Sequence, residues 1–447
     1  MAVLSKEEAK QIIDKVLAFS KADEISAGLT GSRVGNIRYA RNSVSTSGEA
    51  TNMSLSVTSV YGKKSGTATI NEFDDKSLEK TVRRAEEIAE LAPENPEYVP
   101  MLGPQNFLEV NSFAESTAAI NPDFRAEAAF KSIDPCVKKG LTSAGYWEDR
   151  TGFSAMGNSK GLFGYNKATS VDFSITVRTN DGMGSGYATR DYNDVSKLDT
   201  ALATEVAIQK AQASSKARAL EPGKYTVILE PTAAVDLLQN MMGSMDARNA
   251  DEGRSFLGKK GGGTRLGEKL FDERVNIYSD PQNQEIPGSP FGGGGGRYGG
   301  GGDGRAQEKV VWVENGVVKN MYYSRYWAEK KGVKAIAPPS GFIFAGGTES
   351  LADLIKGTEK GILVTRLWYI RAVDPQTLLY TGLTRDGTFY IENGQIKYPV
   401  KNFRFNESPV IMLNNLEAAG KPMRASGNLI PPLKIRDFTF TSLSDAV

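Results

Sequence analysis

The sequence contains no histidine and only one cysteine, Cys136. The absence of histidine excludes Ser-His-Asp triads, Cys-His dyads and every metal site that needs an imidazole ligand. One cysteine forms no internal disulfide and no cysteine cluster, and a lone thiol is typical of a reducing compartment. We expect Cys136 to be structural, because a reactive thiol needs a nearby base or a positive environment.

Long hydrophobic runs and an excess of charge of one sign are also missing. No apolar segment reaches the roughly 20 residues that span a bilayer, and the first residues lack the pattern of a signal peptide. Lys and Arg number 54, Asp and Glu number 53, and the net charge is +1. We therefore expect a cytoplasmic protein with no membrane partner and no nucleic-acid partner.

The residues that are present predict an α+β protein with two domains. The chain has 447 residues, enough for two large domains or three of average size. Helical and strand patterns alternate in residues 1–221, and Glu221-Pro222-Gly223 is the predicted boundary. Residues 222–447 open with a strand and a helix at about 232–249, and are mostly β-rich thereafter. We expect an α/β N-terminal domain and a β-rich, barrel-like C-terminal domain.

Two Asn-Gly pairs predict tight hairpins in the second half. Asn315-Gly316 and Asn393-Gly394 each follow an alternating apolar run, and Asn-Gly favours the type I′ turn because both central residues need positive φ. The glycine-rich tract at about 291–305 has neither a Gly-Lys-Ser/Thr ending nor a strand–loop–helix context, so it is no P-loop. We expect a mobile loop, with a lid over a cleft as the alternative.

Two sets of charged residues are candidates for chemistry. The carboxylates of Asp246, Asp251 and Glu252 are close in sequence and could bind a hard cation or serve as acid and base. A salt-bridged helix end is the alternative interpretation. Four arginines are candidates for binding peptide carboxylates, although internal carboxylate partners would equally satisfy them; they are Arg254, Arg366, Arg371 and Arg385.

The C-terminal half resembles the TldD/PmbA family, whose older name is modulator of DNA gyrase. The similar segments are the strand–helix entry at 227–245, the hairpin at 391–401, the run Phe-Arg-Phe-Asn-Glu-Ser-Pro at 403–409, and the ending at 433–438. The N-terminal helix and strands fit the family in order and length. The resemblance implies an α/β N-terminal domain and a β-rich C-terminal domain that dimerise around a cavity.

The resemblance also implies a division of labour between two kinds of subunit. TldD-type subunits are metallopeptidases in which a His-Glu-x-x-x-His helix and a late cysteine form the metal site, whereas PmbA/TldE-type subunits lack these ligands. Here Gln239 and Ser244 stand at the histidine positions and Asn240 at the glutamate position. Amide and hydroxyl oxygens are weak ligands for zinc, and asparagine cannot act as a general base.

The sequence therefore favours a metal-free TldE/PmbA-like subunit that binds or scaffolds unfolded peptide. No cofactor is expected in this chain, and zinc is expected only in a TldD-type partner. The assembly is expected to be a homodimer or a heterodimer with that partner. Two alternatives stay open, namely a self-sufficient carboxylate- or metal-dependent peptidase and a non-enzymatic regulatory binding protein.

Overall fold

A computed structural model describes residues 3–292 and 302–444. Its N-terminal half repeats one unit, in which a helix is followed by three antiparallel strands and a second helix. The first unit consists of α1 (Lys6–Phe19), β1 (Glu24–Ala40), β2 (Ser43–Tyr61), β3 (Lys64–Ile70) and α2 (Asp75–Leu91). After a short helix, α3 (Glu115–Ala118), the second unit consists of α4 (Pro122–Lys138), β4 (Leu141–Asn158), β5 (Phe163–Thr179), β6 (Ser185–Tyr192) and α5 (Thr200–Ser214).

The two units share one six-stranded sheet in the order β3-β2-β1-β4-β5-β6. Strands β1 and β4 pair antiparallel from Ser26↔Asn158 to Ala40↔Ala144, so the two units meet through their first strands at the centre of the sheet. Odd-numbered residues of β1, including Leu29 and Ile37, enter the two cores beneath the helices. Because side chains alternate along a strand, the even-numbered residues of β1 face the opposite way. That opposite face carries no helices of these units and is polar.

Local sequence explains where the first helices begin. Ser5 caps α1 in a reciprocal box with Glu8, in which each side chain accepts a backbone N–H of the other. Asp74 caps α2 by accepting the N–H of Ser77, without the reciprocal bond. None of the helices in the described ranges combines the length and apolar character needed to cross a bilayer.

The C-terminal half contains two further sheets with a shared core between them. One sheet has nine strands and the other has six. Its helices are α6 (Pro231–Gly243), α7 (Ala247–Asp251), α8 (Arg325–Lys331), α9 (Leu351–Lys356) and α10 (Pro409–Asn414).

The strands of this half are short, except for the last. In chain order they are β7 (Lys224–Leu229), β8 (Ile277–Ser279), β9 (Val310–Glu314), β10 (Val317–Val318), β11 (Ile343–Phe344), β12 (Lys360–Val364), β13 (Leu367–Asp374), β14 (Leu379–Thr384), β15 (Thr388–Glu392), β16 (Gln395–Pro399), β17 (Phe403–Glu407), β18 (Leu416–Ala419), β19 (Met423–Ala425), β20 (Asn428–Ile430) and β21 (Leu433–Leu443). The nine-stranded sheet has the order β13-β14-β17-β21-β7-β12-β15-β16 with β18 beside β21, and the six-stranded sheet has the order β10-β9-β8-β11-β20-β19.

The α+β class and the β-rich second half are confirmed. The term barrel-like needs correction, because both C-terminal sheets are open and no closed barrel forms within residues 222–292 and 302–444. Helix α6 lies in the core between the sheets, where it contributes eight buried side chains. Both Asn-Gly hairpins are confirmed: φ is positive at Asn315 (49°), Gly316 (77°), Asn393 (52°) and Gly394 (70°).

Candidate functional site

The helix that carries the family's motif position is shorter than the sequence predicted. The expected helix at 232–249 is two helices, because α6 ends at Gly243 and α7 begins at Ala247. Asp246 starts the second helix by accepting the N–H of Asn249 at 2.7 Å. Apolar periodicity continues across the break, which is why the pattern alone suggested one helix.

The motif residues make structural hydrogen bonds. Gln239 is buried, and its Nε2 donates to the carbonyl oxygen of Ser426 at 3.2 Å. Ser244, just beyond the end of α6, donates from its hydroxyl to the carbonyl of Asn240 at 2.8 Å.

These residues do not fit the metal that the family resemblance implies. Zinc is bound by thiolate, imidazole or carboxylate groups, and Gln239 and Ser244 offer an amide and a hydroxyl that already bond to backbone carbonyls. In residues 3–292 and 302–444, no three His, Cys, Asp or Glu side chains are grouped as a metal site would need.

The Ser426 turn connects the motif helix with the N-terminal sheet. The turn between β19 and β20 has positive φ at Ser426 (48°) and Gly427 (73°). Asp191 at the end of β6 accepts the N–H of Gly427 and the Nε of Arg424, both at 2.9 Å. The position that the family resemblance assigns to a metal ligand, Gln239, is therefore part of a joint between the two halves.

Three carboxylates lie in one row across the N-terminal sheet beside this joint. Glu148 pairs with Asp172, which pairs with Asp191, on three adjacent strands. Solvent reaches Asp172, but the protein around it removes part of its hydration. This desolvation, with repulsion from Asp191 and Glu148, raises the pKa of Asp172 to about 6, while Arg424 opposes the rise.

A cleft of about 840 Å³ lies between the polar face of the N-terminal sheet and the C-terminal half. Its floor comes from β1, β2, β4 and β5, and its opposite wall comes from loops of the C-terminal half. The polar lining residues of the floor are Thr30, Ser32, Asn52, Ser54, Arg150, Ser154, Asn166, Thr169 and Ser170, and those of the wall are Ser289, Asp303, Arg305, Gln307 and Ser340.

Arg150 is the cleft residue best suited to bind a ligand. It is exposed on β4, and the part of the chain that the structure describes provides it with no ion pair. Arg305 on the opposite wall is instead held by Asp303 at 2.8 Å and by the carbonyl of Tyr323 at 2.8 Å. An exposed guanidinium in a cleft of polar side chains can bind a carboxylate through two parallel N–H donors, or it can donate to carbonyl oxygens.

The glycine-rich tract begins and ends at this cleft. Phe291 is buried against Phe107, with ring centroids 5.2 Å apart. The N–H of Gly292 donates to the carbonyl of Arg305 at 2.8 Å, which closes the base of the tract. Residues 293–301, on which the predictions of a mobile loop or a lid depend, lie outside the described residues.

The three predicted carboxylates are near one another, but each has its own bonding partners. Asp246 caps α7. Asp251 accepts the indole N–H of Trp327 at 2.7 Å and pairs with Lys331 at 2.9 Å. Glu252 pairs with Arg248 at 3.0 Å and with Arg254. These bonds fit the salt-bridged helix end better than an acid–base pair.

Two of the predicted arginines meet at one buried carboxylate. Arg366 bonds to Asp386 at 2.6 Å and lies over the ring of Tyr187, and Arg385 lies 3.9 Å from the same carboxylate. Asp386 also accepts the hydroxyl of Ser185 from the N-terminal half at 2.6 Å, so this cluster joins the two halves.

The other two arginines lie elsewhere on the surface. Arg371 is exposed over Tyr369 on β13, and Arg254 stays with Glu252.

Sequence reasoning missed the cleft floor and the carboxylate row. Their residues alternate with core residues along long strands, as Ser170 and Asp172 do around buried Val171. That alternation was visible in the sequence and indicated the polar face. Which strands lie side by side was not visible, and so the grouping could not be inferred.

Comparison with known proteins places the chain in one family. Three family models match successive segments: PmbA/TldA metallopeptidase domain 1 at residues 27–89, the central domain at 114–219 and the C-terminal domain at 222–442. The chain is 24% identical over 467 aligned positions to metalloprotease PmbA of Escherichia coli O157:H7, covering 97% of this chain and 98% of that protein.

Solved structures share the fold. TldE from Thermococcus kodakarensis superposes with a TM-score of 0.86 at 17% identity, covering 98% of this chain and all of that chain. A candidate modulator of a DNA gyrase from Thermotoga maritima gives a TM-score of 0.86 at 17% identity, covering 97% of this chain and 100% of that one. With its three domains matched in order along almost the whole length, the chain belongs to the PmbA/TldD family.

Proposed function

We propose that this chain is a metal-free, TldE-like subunit that binds unfolded peptide for a TldD-type metallopeptidase partner. The observation that carries the proposal is the state of the motif helix. The family resemblance assigns Gln239 and Ser244 to positions of metal ligands. In this chain both side chains donate hydrogen bonds to backbone carbonyls. A chain built in this way contributes binding and positioning while a partner contributes the metal.

The cleft supports the peptide-binding part of the proposal. Its floor is lined by short polar side chains and by the exposed guanidinium of Arg150. Such a surface can bond to the backbone and the terminal carboxylate of an extended peptide without demanding one side-chain sequence. The near-neutral net charge and the single buried cysteine support work in the cytoplasm on peptides rather than on nucleic acid.

The test compares the chain alone with the chain mixed with a TldD-type partner from the same organism. Metal content, oligomer mass and cleavage of an unfolded peptide are measured on the same samples. We expect no stoichiometric metal and no cleavage from the chain alone, and a complex with the partner whose chelator-sensitive cleavage exceeds that of the partner alone. Chelator-sensitive cleavage by the isolated chain would favour the self-sufficient peptidase instead.

A cleft variant makes the test more specific. Arg150→Met removes a charge-assisted contact, so we expect KM of the complex for peptide to rise about tenfold while kcat changes less. Arg38→Met is the matched control, because Arg38 is an exposed arginine of β1 that does not line the cleft. Equal KM values for both variants would remove the cleft from the proposal. A complex without cleavage, or a chain that alters another protein's activity without binding peptide, would favour the regulatory alternative.

A further inference from the structure

The outer edge of β2 is an unpaired strand edge. β2 pairs with β1 along its whole length, but β3 pairs only from Leu55↔Ile70 onward. No strand of the described ranges pairs with the outer edge of residues 43–54, and residues 43–52 are exposed on both faces of the sheet. The backbone N–H and C=O groups along this edge therefore face solvent.

This edge lacks the features by which proteins usually block edge pairing. Exposed edges commonly carry lysine, proline or an inward charge, or are covered by a helix or loop. The stretch Ser-Val-Ser-Thr-Ser-Gly-Glu-Ala-Thr-Asn at 43–52 has no lysine, arginine or proline. Its one charge, Glu49, is engaged with buried Arg125 at 2.9 Å. An open edge without protection is suited to pair with another chain.

The second unit shows what occupies the equivalent edge. Strand β5 has the place in the second unit that β2 has in the first. β6 pairs with β5 only from Val171 onward, as β3 pairs with β2 only from Leu55 onward. Just before Val171, at Lys167–Thr169, the outer edge of β5 is covered by the chain itself. The N–H of Thr169 donates to the carbonyl of Ser112 at 2.9 Å, and the hydroxyl of Ser112 donates to the carbonyl of Lys167 at 3.0 Å.

The open edge also leads into the cleft. Residues 52–54, at the end of the unpaired stretch, line the cleft floor beside Thr30 and Ser32 of β1. A strand added along residues 43–51 would therefore reach the cleft without crossing another element of its floor.

We propose that residues 43–54 of β2 bind an extended polypeptide by strand addition, at the edge that corresponds to the one covered by the segment around Ser112 in the second unit, and direct it into the cleft. The affinity comes from main-chain hydrogen bonds, so the peptide is recognised by extended conformation rather than by sequence. The inference rests on the proposed function, since it names the path by which an unfolded peptide enters.

The test uses a synthetic peptide with the sequence of residues 105–116, which includes the segment that covers β5. Hydrogen exchange of the full chain is followed by mass spectrometry with and without the peptide. We expect amide exchange in residues 43–54 to slow about tenfold at saturation while exchange in β3 stays unchanged. Two versions of the peptide are methylated on alternate backbone amides, and strand addition predicts that one set abolishes binding while the other retains it.

A pair of lysine variants separates the edge from the rest of the sheet. Ala50→Lys places a charge on the open edge, and we expect peptide affinity to fall about threefold or more. Thr69→Lys adds the same side chain at an exposed position of β3 and is expected to bind as the unsubstituted chain does. Unfolding curves of both variants check that the sheet is intact.

The possible failures are distinguishable. If the peptide binds and is cleaved by the complex, but residues 43–54 exchange unchanged and Ala50→Lys has no effect, the edge inference is wrong and the proposed function stands. If no peptide binds and the complex cleaves none, the proposed function fails and the inference fails with it. If residues 43–54 become protected with rising protein concentration in the absence of peptide, the occupant is a second copy of this chain and the peptide proposal is overturned.

Discussion

The side-chain amide of Gln239 donates to the carbonyl of Ser426 at 3.2 Å, which ties the motif helix to the turn between β19 and β20. On the other side of that turn, Asp191 binds the N–H of Gly427 at 2.9 Å. A position that the family resemblance assigns to a metal ligand thus forms part of the connection between the two halves.

The first prediction concerns this connection. Gln239→Ala removes one of two side-chain donors to the Ser426 carbonyl, which keeps the Nδ2 of Asn428 at 2.7 Å. Because the lost amide is also buried, we expect a loss of about 1–2 kcal/mol in the free energy of unfolding. Asn240→Ala on the same helix is the control and should cost less than about 1 kcal/mol, since Asn240 is only half-buried. Urea unfolding followed by tryptophan fluorescence measures both. Equal losses would show that the bond to Ser426 contributes nothing of its own.

The second prediction concerns Arg125, which is buried against Asp149 with its Nε 2.6 Å from the carboxylate. A Cβ added to Gly35 would lie 1.7 Å from the Arg125 guanidinium, whereas a Cβ on Gly28 of the same strand meets nothing within 4 Å. Gly35→Ala must displace a buried charge from its partner, and we expect it to cost about 3 kcal/mol. Gly28→Ala should be neutral or stabilise slightly, because it only restricts the unfolded chain.

Thermal unfolding of the two alanine variants is the measurement. Both variants carry the same substitution on the same strand, so the change of residue type cannot explain a difference between their melting temperatures. Similar melting temperatures would mean that Arg125 relocates without cost.

The third prediction concerns pH. Because desolvation and neighbouring carboxylates raise the pKa of Asp172 to about 6, its ionisation is easier in the unfolded chain than in the folded one. The folded state therefore loses stability as pH rises from about 4 to about 6, and the full penalty is present above that range. Asp172→Asn removes the penalty, so we expect a higher melting temperature at pH 7.5 and a vanishing difference near pH 4.

Asp181→Asn is a control of opposite sign. The hydroxyl of Thr179 and the N–H of Met183 hold the pKa of Asp181 below its ordinary value. Stability from that group is present above about pH 4 and is lost at lower pH, so its replacement should lower the melting temperature at pH 7.5. The same direction of change in both variants would contradict the pKa assignments.

The fourth prediction concerns the joint at Asp386. This carboxylate is 1% exposed and binds Arg366 and Ser185 from different halves. Asp386→Ala leaves Arg366 largely buried without its charge partner, and we expect a loss of about 3–5 kcal/mol. Asp14→Ala, which breaks an exposed pair with Lys10, should cost less than about 1 kcal/mol. Proteolytic cleavage of the segment between α5 and β7, which follows residue 214, should become faster only in the Asp386→Ala variant.

The fifth prediction concerns the predicted acidic cluster. Asp246→Ala removes the cap of α7 and should cost about 1 kcal/mol in unfolding free energy, whereas Asp246→Asn keeps an acceptor for the Asn249 N–H and should cost less. Neither change should alter metal content or the cleavage rate of the complex with a TldD-type partner. A large loss of cleavage with normal stability would instead make the carboxylate catalytic.

Features that depend on neighbouring residues were predictable from sequence. The hairpins at Asn315-Gly316 and Asn393-Gly394 each need only residues a few positions apart, and both formed as expected. The break between α6 and α7 was missed because Met245 keeps the helical spacing of buried side chains after the first helix has ended. The hydrophobic pattern does not distinguish one helix from two on the same side of a core.

The repeated unit of the N-terminal half was also missed. Its two copies correspond in strand register and helix order, and the sequence analysis found no repeat there. The Asp172–Asp191 pair and the Arg366–Asp386 pair escaped notice for a related reason, because each joins residues from strands whose pairing depends on the whole fold.

The sequence by itself determined that histidine-based chemistry, internal disulfides and cysteine clusters are excluded. It also indicated an α+β protein that resembles one family, and that resemblance assigns Gln239 and Ser244 to motif positions. These conclusions follow from residue identity and local pattern. Only the tertiary structure decided that the motif residues bond to backbone carbonyls, that polar strand faces form a cleft with Arg150 in its floor, and that the edge of β2 is open. Those features arise from contacts between distant segments, and such contacts are fixed by the packing of complete sheets rather than by any single stretch of chain.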